Sequence, residues 1–150
     1  MGGTLQKRCV LVFAADNGIY EEGITPVPQD VTPMQTVNIA NGAAGVNALA
    51  AQAGAQVFVY NVGIAQPLER KGITDVLVMH GTNNMAKEPA MTLSQCKKAM
   101  QAGYDAVTAH ADYDVIGLGE MGICNTSTTA AVASVLLKRP VSDPVSYTHL

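Results

Sequence analysis

Residues 115–127, VIGLGEMGICNTS, set one carboxylate, Glu120, among glycines spaced as Gly117-x-Gly119-x-x-Gly122. Two chemistries compete for that stretch. The glycine spacing is that of a dinucleotide-binding loop, in which backbone approaches a pyrophosphate at a helix N-terminus. The carboxylate suggests instead a group that faces developing positive charge or holds a substrate proton. A plainer alternative keeps Glu120 solvated, complementing the dipole of the helix that follows. The dinucleotide reading needs its third glycine inside that helix, and an acidic residue ending a second strand ~20 positions on. Gly122 is instead followed by Ile-Cys-Asn-Thr-Ser, a cap-rich run, so the helix begins after it. Asp143 stands at about the right distance but lies in RPVSDPV, which cannot be a central strand. An NAD-linked oxidoreductase is therefore the runner-up function.

Other polar residues recur at equivalent places. Asp16-Asn17-Gly18 ends an apolar run, and its aspartate is either a turn former or a site group. Asn125 and Thr126 open a run whose N–H groups, to Thr128, serve as helix caps or as a phosphate cradle. Gln35 either completes a capping box with Thr32 or turns its amide to a ligand; it cannot readily do both. His80 has no carboxylate or serine partner near it in sequence and reads as structural.

Residues 9–15, CVLVFAA, form a continuous apolar run, as does 56–63, QVFVYNVG; both predict buried strands. Residues 114–119 give a third strand, and 75–79 a short additional one. Between them the sequence predicts one long small-residue helix from Pro33 to Gly54, with Thr32 as N-cap, Pro33 at the first helical position and Gly54 as terminator. Further helices are expected over residues 92–111 and 125–139, the latter capped by Asn125 or Ser127. Alternating strands and helices imply an α/β fold, a parallel Rossmann-like sheet covered on both faces. Such sheets bind ligands outside the carboxyl ends of their strands. Asp16 and Glu120 then fall in neighbouring carboxyl-end loops.

The composition narrows the partners. The chain has 150 residues, 48% apolar and 14% charged, enough for a core; its net charge of −3, without a basic run, argues against nucleic acid or an anionic membrane surface. Three cysteines without metal-type spacing read as reduced thiols of a cytoplasmic protein. No apolar run approaches the roughly 20 residues that span a bilayer.

Four blocks, taken in order, resemble one family. ADNGIYEEGITPVPQDVTPMQ, GAAGVNALAAQAGAQVFVYNVGI, GTNNMAKEPAMT and GLGEMGICNTSTTAA are similar to successive blocks of the nicotinate-nucleotide–dimethylbenzimidazole phosphoribosyltransferases of cobalamin lower-ligand assembly. The resemblance implies a homodimer with no metal or organic cofactor. It implies transfer of phosphoribose from nicotinate mononucleotide to 5,6-dimethylbenzimidazole, giving α-ribazole 5′-phosphate and nicotinate. The acceptor must lose an N–H proton, which calls for a carboxylate base of raised pKa in a partly apolar pocket. Glu120 matches the second important glutamate of such enzymes, and Gln35 a residue that contacts the benzimidazole. Val27 matches a pocket position often held by a small polar residue, and Met121 and Gly122 would flank the bound ring and ribose. The family's principal base is a glutamate downstream of this stretch. The resemblance thus implies a sheet incomplete at both ends, with residues 1–145 a partial domain and 146–150 an unmatched tail. On this view the piece alone would be inactive; a competing, non-enzymatic reading is a catalytically dead α/β binding module that retains the acceptor pocket.

Overall fold

The computed structural model describes residues 5–140, so the expected tail at 146–150 and Asp143 lie outside the described residues. Four strands make one sheet: β1 (Arg8–Ala15), β2 (Ala55–Gly63), β3 (Ile73–Asp75) and β4 (Val115–Met121). Their order is β3-β2-β1-β4, and every pairing is parallel. A β-branched and aliphatic run without polar interruption suits β1, which is paired on both edges and covered on both faces.

Alternation along β1 sorts the core into two layers. Cys9 and Leu11 pack with Tyr60 of β2, Ile116 of β4 and Ala106 of helix α3 (Leu93–Ala109). Val10 and Val12 face the other way, onto Val59, Ile39 of helix α1 (Val31–Ala40) and Val46 of helix α2 (Gly45–Gln52). Helices therefore cover both faces. Each fully buried aliphatic side chain in these layers contributes about 1.5–3 kcal/mol. Helix α4 (Asn125–Leu137) follows β4 and leaves Val135, Leu136 and Leu137 exposed.

The structure corrects several expectations. The single helix from Pro33 to Gly54 is two, broken where Gly42 takes a left-handed φ of 79°. Gly54, with φ 63°, does end the second one. Thr32 is not an N-cap: α1 starts at Val31 after Asp30, and Thr32 lies inside it, fully buried. A turn already wound by Val31 N–H to Pro28 O and Thr32 N–H to Gln29 O moves the helix start upstream. The capping box with Gln35 accordingly does not form, and Gln35 Oε1 accepts from Asn38 instead. A box does form at Thr92 and Gln95, opening α3. The short strand is Ile73–Asp75 rather than 75–79, although Val76 and Val78 N–H groups still donate to Asn61 and Val62 carbonyls. Helix α4 stops at Leu137, not Arg139, and its N-cap is Cys124 in a left-handed conformation, not Asn125 or Ser127.

Candidate functional site

Strand β4 runs to Met121, two residues beyond the expected end at Gly119, so Glu120 lies in the strand rather than in the loop. Its register partner on β1 is Phe13, and Met121 pairs with Ala14. Glu120 thus shares the α3 face of the sheet, whereas Met121 packs its side chain into the α1 layer. Asp16 follows the end of β1 directly. From β1 the chain winds through β2 to β3 on one side, and β4 lies on the other. The carboxyl ends of β1 and β4 therefore flank the point where the winding reverses, the ordinary ligand crevice of such sheets.

The three glycines do unrelated work. Gly117 and Gly119 are strand residues, where an added Cβ would meet Val10 Cγ2 and Val12 Cγ2 at 3.5 Å, an ordinary contact. Gly122 forms the turn after β4, and a Cβ there would lie 2.1 Å from the Ala15 carbonyl oxygen and 3.0 Å from Asn17 Nδ2. The fingerprint therefore has two members in a strand and one wedged between strand ends. None of them lies in the following helix.

That turn is gripped from both sides. Ile123 N–H donates to Thr32 Oγ1 of α1 at 3.0 Å, and Ile123 carbonyl accepts from Asn17 Nδ2 at 3.0 Å. Asn17 Oδ1 in turn accepts from Thr128 Oγ1 at 2.8 Å. The side chain of Asn125, first residue of α4, interacts with the Glu120 carboxyl and favours its charged form. Glu120 as a residue is exposed, but its carboxyl is crowded, and the partial loss of water pushes its pKa above the usual carboxylate value; Asn125 opposes this. The expected row of free N–H groups from Asn125 to Thr128 is not there. Asn125 N–H donates to Gly122 O, and those of Ser127 and Thr128 to Cys124 O. Burial pushes the Cys124 thiol pKa above its usual value.

Asp16 is only 2% exposed. Its Oδ2 accepts from Ala65 N–H at 2.8 Å, while Oδ1 has no hydrogen-bond partner among the described residues. Residues 80–84, silent in the sequence, brace this corner: Thr82 N–H donates to Asp16 O, and Gly18 N–H to Thr82 Oγ1. Farther out, Asn84 donates to Glu22 at 2.6 Å and holds that carboxyl below its usual pKa, with Lys87 adding to the effect. Val27 is exposed in the loop before α1, and Gln35 is half-buried on α1. The structure thus brings Glu120, Gly122, Asn125 and Asp16 to one end of the sheet. Sequence reasoning missed Asn17 and Thr32 as their supports. Neither carries a local signal for a contact made 90 or more residues away. Among the described residues no three His, Cys, Asp or Glu side chains converge as a metal site would require.

A phosphoribosyltransferase family profile matches residues 2–148. The chain belongs to that family. Among curated members it is 40% identical over 139 residues to the nicotinate-nucleotide–dimethylbenzimidazole phosphoribosyltransferase of Clostridium perfringens, covering 91% of this chain and 38% of that one. The enzyme of the same name from Clostridioides difficile is 39% identical over 132 residues, covering 87% and 38%. The crystal structure of CobT from Thermus thermophilus superposes with a TM-score of 0.87 at 36% identity, covering 91% of this chain and 42% of that one. The chain thus spans about two fifths of the length of the phosphoribosyltransferases it matches.

Proposed function

We propose that this chain carries one wall of the acceptor site of an enzyme that transfers phosphoribose from nicotinate mononucleotide to 5,6-dimethylbenzimidazole, with α-ribazole 5′-phosphate and nicotinate as products. The observation that supports this most is the Glu120 carboxyl, of raised pKa and held by Asn125, beside the β1 end where the winding reverses. An azole nitrogen attacks the ribose carbon as nicotinate leaves through an oxocarbenium-like state, and the acceptor gives up its N–H proton. A carboxyl of raised pKa suits both tasks. It takes or shares a proton more readily than an ordinary carboxylate, and when ionised it places negative charge where positive charge grows. The curated relatives named above bear the same reaction in their names.

Asp16 Oδ1, buried and without a partner among the described residues, offers an acceptor for a substrate N–H or O–H at the same corner. Gly122 brings the turn after β4 against the end of β1, which keeps Glu120 and Asp16 at one corner. Met121 contributes backbone, since its side chain is spent in the α1 layer. Gln35 and Val27 line the acceptor side, and Asn125 and Thr126 the side nearest the phosphoribosyl group. The working enzyme is a homodimer of the cytoplasm in this reading. The NADH-binding alternative finds no support from Gly117 and Gly119, which are strand residues.

The test is a titration of the isotopically labelled chain with 5,6-dimethylbenzimidazole, followed by NMR. Saturable shifts centred on Glu120, Asn125 and Gln35, weakened in Glu120→Gln, are expected. Shifts centred elsewhere, or the same residues responding to NADH and not to the benzimidazole, would overturn the assignment.

A further inference from the structure

Helix α4 begins without a capping side chain of its own. Its N-cap, Cys124, sits at φ 67° with no side-chain cap bond, and the preceding Gly122 is pressed against the β1 backbone. Something else must fix the path from β4 into α4, because Asn125 can reach the Glu120 carboxyl only if that path is fixed. The two polar groups of the Ile123 peptide supply the answer. Its N–H is held by Thr32 and its carbonyl by Asn17, from two different elements.

Thr32 is a costly residue to place there. It is fully buried in the first turn of α1, and Thr36 Oγ1 donates to its carbonyl at 2.7 Å, so its backbone is anchored as well. A buried hydroxyl is expensive unless it is used. Here its oxygen is used on a peptide 91 residues away rather than on its own helix. The α1 helix gains nothing from that bond; the Gly122–Asn125 turn gains its register.

We propose that Thr32 is a positioning residue for the reaction: through the Ile123 N–H it sets the turn that delivers the Asn125 side chain to the Glu120 carboxyl. Asn17 is its counterpart on the Ile123 carbonyl and, through Thr128, on the first turn of α4. Neither touches substrate; both act through Asn125. The inference rests on the assignment of Glu120 as the site carboxylate, yet its geometry is measurable with no substrate present.

The experiment compares Thr32→Val, which keeps the shape and removes the acceptor, with Thr32→Ser, which keeps the hydroxyl. In the labelled chain, NMR follows the Glu120 carboxyl titration and the Asn125 side-chain amide. Thr32→Val is expected to move the Glu120 midpoint upward, because the amide that lowers it is withdrawn, and to shift the Asn125 amide towards its solvent-exposed position. Thr32→Ser is expected to restore both. Asn17→Ala provides a second route and should move both signals the same way, which keeps the test decisive should Thr32→Val fail to fold. A folded Thr32→Val or Asn17→Ala chain with unchanged Glu120 and Asn125 signals would overturn the proposal. Loss of benzimidazole shifts in the parent chain, with these signals responding as described, would sink the functional reading and leave the positioning intact.

Discussion

Replacing Gly122 by alanine separates the steric account of the glycine cluster from the phosphate-loop account. The new Cβ would lie 2.1 Å from the Ala15 carbonyl oxygen. A carbon–oxygen contact normally needs about 3.3 Å, so the turn must retreat by roughly 1.2 Å from backbone that no rotamer change can move. Overpacking of this kind costs about 1–3 kcal/mol. The retreat also pulls Ile123 from Thr32 and Asn17, two hydrogen bonds worth about 1 kcal/mol each. Alanine returns about 0.4–1 kcal/mol by restricting the unfolded chain. The net loss is about 2–5 kcal/mol. With a urea slope of about 2 kcal/mol per molar, the unfolding midpoint should fall by about 1–2.5 M. Gly117→Ala and Gly119→Ala place their methyls at 3.5 Å from valine methyls and should change stability by under about 1 kcal/mol, on the stabilising side, because glycine is a poor strand residue. Urea unfolding followed by circular dichroism compares all three. Equal losses at the three positions, or a Gly122→Ala midpoint unmoved, would refute this reasoning.

Gly103→Ala, inside α3 where the new methyl meets nothing within 4 Å, should stabilise by about 0.5–1 kcal/mol in the same assay. In a full-length relative, changing the glutamate that matches Glu120 to glutamine should lower turnover about 10²–10⁴-fold, read by chromatography of α-ribazole phosphate, with little change in thermal stability. In this chain the same substitution carries a pH signature. The folded Glu120 carboxyl holds its proton more tightly than the unfolded one, so its contribution to stability is full below the ordinary carboxylate value and is lost as pH rises through the folded one. Urea midpoints of Glu120→Gln should therefore improve relative to the parent between acid and neutral pH. NADH titrated against the chain should give no saturable fluorescence change.

The sheet was legible because its strands are continuous apolar runs: 9–15 and 56–63 match β1 and β2 within one residue. Strand β4 was cut short at Gly119 because the Glu-Met-Gly that follows reads as a loop, whereas the pairing with β1 continues to Met121 and Ala14. The break between α1 and α2 was hidden by a run of alanines, although Asn41-Gly42 is a turn dipeptide. Thr32 followed by Pro33 and Gln35 imitates a helix start, and the threonine was misassigned because its real partner is remote. That Asp16 and Glu120 would lie at neighbouring strand ends could be read from the alternation of strands and helices. Their supports could not, because Asn17 and Thr32 become meaningful only once β1, α1 and β4 are side by side.

The order of the strands also bears on how this corner comes into being. Pairing β1 with β2 joins residues 47 apart, from Arg8 to Ala55; pairing it with β4 joins residues 107 apart, from Arg8 to Val115. The second closure is entropically dearer by about 0.7 kcal/mol, from three-halves RT times the logarithm of the length ratio. The bonds that hold the turn after Glu120, from Thr32 and Asn17 to Ile123 and from Thr128 to Asn17, all depend on that longer closure. A chain that has zipped β1 to β2 but not to β4 would thus own most of its core and the Asp16 side of the corner without the Glu120 side. The resonances of Ile123 and Asn125 should consequently be among the last to reach their native positions during refolding.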